Sequence, residues 1–116
     1  MDITENESAF DKRLLALIRE IIRAIKSDLA DSGIPEERLA DVTGDVAFSV
    51  AAIIDGSRVM QADGQPLIPV LTFADDTQRS KFVGRPGGSF MHEYIALRKA
   101  SKSEFWKNRY LEPLWK

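Results

Sequence analysis

Arginine, glycine and serine stand together in Val83-Gly84-Arg85-Pro86-Gly87-Gly88-Ser89. Glycines let backbone come close to a ligand, and a helix starting at Ser89 would turn free N–H groups toward the loop. Arg85 would add a charge-assisted contact, so Arg85, Gly87, Gly88 and Ser89 are the candidate ligand-binding residues for phosphate or carboxylate. The segment matches neither a Gly-Lys-Ser/Thr phosphate loop nor a dinucleotide fingerprint, and a plain strand-to-helix connector accounts for the same residues.

His92 is the only histidine. It could act as a general base, and the carboxylates Asp75 and Asp76 would accompany it as catalytic residues if the chain is an enzyme on an anionic substrate. Arg79 and Arg85 would complete that group. The bland alternatives are an incidental polar histidine and an Asp-rich turn, Asp75-Asp76-Thr77-Gln78. One imidazole without cysteine does not make a metal centre, so neither metal nor other cofactor is expected.

Charge is sorted along the chain. Residues 1–78 carry seven Lys+Arg against fifteen Asp+Glu, whereas residues 79–116 carry nine against three. The basic end also holds seven of the ten aromatic residues, and Phe105, Trp106, Tyr110 and Trp115 are its candidate interface residues. Such a tail can dock on its own core, anchor a protein partner or stack on nucleic acid. The whole-chain pI near 5.4 argues against a dedicated nucleic-acid binder. Acidic and basic ends of two copies would complement one another, so a homodimer or another protein is the expected partner. Lys12, Arg19, Arg23 and Lys26 share a helical stripe, but interspersed acids make it an ordinary solvated face.

The elements that must hold these residues follow from periodicity. Residues 1–7 read as a flexible lead-in, with Ser8 as a helix cap. Phe10, Leu14, Leu17, Ile18, Ile21, Ile25 and Leu29 recur at helical steps and predict a long amphipathic helix ending at Gly33. Pro35, Glu36 and Glu37 open a second helix. Leu39, Val42, Val46, Val50 and Ile53 form its stripe, residues 46–54 are apolar almost all round so that this helix is expected to be the most buried element, and Gly44, Ala47 and Ala51 make a small-residue face suited to close packing against another element. A strand over 45–54 is the competing reading.

Asp63-Gly64 between two short β-like runs predicts a tight hairpin, and Lys81-Phe82-Val83 a further strand. Residues 89–97 fit a helix or a strand, and 103–111 a last short helix. The expectation is one α+β domain over residues 1–116: two N-terminal helices on a small antiparallel sheet of three or four strands, with C-terminal helical segments. Without cysteine, a basic leader or an apolar run long enough to span a bilayer, the chain reads as a cytoplasmic protein of bacterial style that does not engage membranes. Its expected function is non-catalytic protein interaction or regulation.

Overall fold

A computed structural model describes residues 2–85 and 91–96. Its element order is β1 (Asp2–Glu5), α1 (Glu7–Asp31), α2 (Glu36–Ile54), β2 (Met60–Ala62), β3 (Gln65–Leu67), β4 (Phe73–Asp75), β5 (Gln78–Gly84) and α3 (Met91–Ala96). This is the expected α+β class. The helix expected over 103–111 lies outside the described residues.

The long helix forms as its periodicity dictates, with two changes of detail. Its cap is Asn6 rather than Ser8: the Asn6 side chain accepts from the Ala9 N–H at 3.1 Å. Its buried line is Phe10, Leu14, Leu15, Ile18 and Ile22, with Leu17, Ile21 and Ile25 packed on the flank. At the other end the Ile34 N–H reaches the Leu29 carbonyl and the Gly33 N–H the Ala30 carbonyl, both at 3.1 Å. Gly33 takes φ +91°, so the helix closes in the left-handed turn that glycine permits.

The chain then folds back through 32–35, and α2 packs against α1. Pro35 precedes the helix as its cap residue, with Glu36 and Glu37 in the first turn. The competing strand over 45–54 does not form. The small-residue face expected to pack closely is the one that is buried. Thr43, Gly44, Ala47, Ala51 and Ala52 are the buried residues. The large apolar stripe is only partly covered: Val46 and Ile53 are 37% and 42% exposed, and Leu39, Val42 and Val50 are half-buried. Two helices that meet over small side chains approach closely, so the α1–α2 contact selects the alanine face.

The strands make two small sheets. In one, β5 is central, flanked by antiparallel β4 and parallel β1. Residues 2–5, expected as a flexible lead-in, are therefore a sheet edge, with Asp2 opposite Lys81 and Glu5 opposite Gly84. Four polar-rich residues carry no strand signal of their own; β5 supplies the ladder they need. Phe10 of α1 meets Phe73 of β4 edge-on, ring centres 5.2 Å apart, and ties this sheet to the core. The other sheet is the expected hairpin of β2 and β3. Asp63 and Gly64 take φ 51° and 75°, the left-handed pair of a type I′ turn. Every residue of β2 and β3 is exposed.

Candidate functional site

Arg85 leaves β5 beside the start of α1. Its guanidinium donates to Glu7 Oε1 at 2.9 Å and to Asp11 Oδ1 at 3.1 Å. The Arg85 and Asp11 side chains are only 16% and 11% exposed. Two carboxylates thus already neutralise the cation that sequence reasoning offered to an external anion. Arg85 works here as a tie between the sheet and the first turns of α1. Gly87, Gly88 and Ser89 lie outside the described residues.

His92 lies on α3, which settles 91–96 as helix. Its backbone N–H donates to Asp55 Oδ2 at 2.7 Å, and its Nδ1 lies 2.5 Å from the same oxygen. Asp55 ends α2 with its side chain 3% exposed, so a nearly buried internal carboxylate occupies the start of α3. One N–H near the start of α3, that of His92, thus has an anion supplied by the chain itself. Ser57 Oγ is 3.4 Å from His92 Nδ1. Ser57, His92 and Asp55 are the residue types of a hydrolytic triad, but both oxygens address the same ring nitrogen. A serine nucleophile needs its histidine base at the nitrogen opposite the aspartate. The arrangement fastens α3 to the end of α2. The edge of His92 also meets Phe48, ring centres 5.7 Å apart.

Asp75 lies at the end of β4 and accepts from Arg13 of α1 at 3.3 Å. Asp75 and Asp76 line an open groove of about 450 Å³ with Arg13, Leu17, Glu20 and Phe73. Among the described residues no cluster of three or more histidine or acidic side chains is placed to hold a metal ion. The three expected members of one cleft therefore have three separate partner sets: Arg85 with Glu7 and Asp11, Asp75 with Arg13, and His92 with Asp55. Within the expected basic stripe Arg23 lies 3.8 Å from Glu20, as on a solvated helix face.

What the described residues do present is apolar surface. Val46, Phe48 and Ile53 of α2 are exposed, as are Val59, Met60, Leu67, Ile68 and Val70 of the hairpin and its flanks. Leu39, Val42 and Val50 are half-buried without belonging to the core cluster or the side chains packed on it. Ile68 lies so close to Gly56 that a Cβ there would come within 2.9 Å of it, which seats the hairpin's outgoing strand against the end of α2. The small-residue face expected from the sequence to pack closely is buried, and the stripe of large residues is only partly covered. The aromatic candidates Phe105, Trp106, Tyr110 and Trp115 lie outside the described residues. Among those described, no helix is long and apolar enough to cross a membrane.

No family model matches the chain, and neither the curated proteins nor the solved structures searched return a match.

Proposed function

We propose that this domain is a non-catalytic interaction module whose docking surface is the outer face of α2 continued by the β2–β3 hairpin. The observation that carries the reading is the incompletely covered stripe of α2, with Val46 and Ile53 exposed and Leu39, Val42 and Val50 half-buried. A helix that merely caps a core turns its large apolar residues inward and its polar residues out. Here the small residues face inward and a row of large ones is left over. Exposed apolar side chains gathered on one element are a feature of interaction sites. The hairpin supports the same reading. A two-stranded ribbon with all its strand residues exposed is marginal by itself, and a partner that covers Met60, Leu67 and Ile68 would stabilise it. Arg85, Asp75 and His92 support a structural role, since each of the three has an internal partner.

The test replaces Val46 and Ile53 with Glu, together and singly. The expected outcome is a folded domain by circular dichroism and a cooperative melt, with loss of apolar-dye binding or of protein association. A domain that no longer folds would place the stripe in the chain's own core and overturn the reading.

A further inference from the structure

The chain holds two Asp-Gly pairs, Asp55-Gly56 and Asp63-Gly64. A glycine after an aspartate leaves its amide nitrogen unhindered toward the neighbouring carboxyl group, because it carries no side chain. The fold treats the two pairs in opposite ways.

At Asp55-Gly56 both reacting groups are engaged. The Asp55 side chain is buried, with Oδ2 accepting from the His92 N–H, and the Gly56 N–H donates to the Ile53 carbonyl at 3.2 Å. A Cβ at Gly56 would stand 2.9 Å from Ile68. Ring closure there has to undo the end of α2 and displace Ile68 first. At Asp63-Gly64 both residues are exposed. Among the described residues beyond its chain neighbours, no heavy atom comes within 4 Å of where a Gly64 Cβ would stand. A type I′ loop pairs its flanking residues and leaves the N–H of its second residue out of the ladder. The flanking pairs are Met60 with Leu67, Gln61 with Pro66 and Ala62 with Gln65, every one exposed. So short a ribbon opens at little cost, and opening frees the Asp63 carboxyl group to reach the Gly64 nitrogen.

From this contrast we infer that Asp63 is a site of spontaneous covalent modification, its conversion to isoaspartate through a cyclic imide, and that Asp55 is protected from it. The Gly64 nitrogen attacks Asp63 Cγ. The N–Cγ bond forms, and one water leaves, made of a carboxyl oxygen with its proton and the amide proton. Water then adds to the main-chain carbonyl of the imide and breaks its bond to nitrogen. Gly64 stays attached through Cγ, and the main-chain carboxyl becomes the free acid. The water lost in the first step is regained in the second, and no oxidant or cofactor is used. The backbone now runs through Cβ and is one methylene longer. A two-residue loop that holds φ 51° and 75° loses its register with an added atom, so β2 and β3 no longer pair. The requirement that selects Asp-Gly for the turn also makes the turn labile. The inference stands on the hairpin alone and needs no docking partner.

Trypsin separates the two sites, placing Asp55 in peptide 39–58 and Asp63 in peptide 59–79. The folded protein is held at neutral pH and body temperature for several weeks, digested, and read by electron-transfer fragmentation, which distinguishes isoaspartate from aspartate. Isoaspartate should accumulate at least ~10-fold faster at 63 than at 55, the factor that about 1.4 kcal/mol of local opening free energy gives. In denaturant the two sites should react at similar rates, since structure no longer separates them. Asp63→Gly leaves a Gly-Gly pair suited to the same turn, and should abolish the modification at 63 while the domain still folds. Equal accumulation at 55 and 63 in the folded protein would overturn the inference. So would a site 63 that reacts only in denaturant, or a difference between the sites that persists there undiminished.

Discussion

Two neighbouring residues on α2 should respond to the same substitution in opposite ways. Ala47 is fully buried in the helix-lined core, whereas Val46, one position and about 100° around the helix, is 37% exposed. Ala47→Glu forces a carboxyl into a packed helix contact. If the group stays neutral there, its protonation at pH 7 alone costs about 3.7 kcal/mol relative to an ordinary glutamate near pKa 4.3. Steric displacement of α1 adds about 1–3 kcal/mol. The sum approaches the whole stability of a domain this size, ~5–15 kcal/mol, so the variant should be largely unfolded. Val46→Glu gives up about two-thirds of a valine's burial, about 1 kcal/mol, and regains a few tenths through the better helix propensity of Glu. Urea titrations followed by circular dichroism at low protein concentration measure both. The Ala47→Glu deficit should also shrink on acidification: its carboxyl would have a raised pKa when folded, so the penalty grows as pH rises above about 4.3 and fades below it. Equal losses at the two positions, or a greater loss at Val46, would refute the orientation assigned to α2. Ala47→Leu, a milder overpacking change expected to cost about 1–3 kcal/mol, keeps the comparison measurable if the Glu variant cannot be purified.

Further outcomes follow from the same geometry. Ile22→Ala should cost about 3–4 kcal/mol by chemical denaturation because Ile22 is fully buried, whereas Ile21→Ala, on the flank of the buried line, should cost about half as much. Asn6→Ala should cost about 1 kcal/mol through the lost cap, while Ser8→Ala should fall within measurement error. Thr43 Oγ1 is buried without a hydrogen-bond partner among the described residues, so the near-isosteric Thr43→Val should raise stability by about 1 kcal/mol, seen as a higher melting temperature. Asp11→Asn should destabilise by about 2 kcal/mol and Glu7→Gln by less than about 1 kcal/mol, because Glu7 is 65% exposed and Asp11 is not; in the same melts, phosphate should protect wild type and Arg85→Ala equally if the pairing with Glu7 and Asp11 is the whole role of Arg85.

The parts that the sequence determined are those set by neighbours within a few residues. A 3.6-residue apolar repeat makes α1 helical whatever it packs on, and Gly33 ends it because a left-handed residue follows. Asp63-Gly64 turns the hairpin for the same local reason. Tertiary structure decided everything that depended on a choice of partner. The α2 segment carries two faces that could each be buried, one large and apolar, one small. Both faces were legible in the sequence, and the close packing of α2 in the core buried the small one. Residues 2–5 became a strand only because β5 offered an unpaired edge. The charged candidates show the same division. Arg85, His92 and Asp75 are residue types that bind ligands, but their partners Glu7, Asp11, Asp55 and Arg13 come from 37 to 78 positions away. At that separation no spacing in the sequence records whether a charge faces a ligand or another part of its own chain; the path of the backbone sets it.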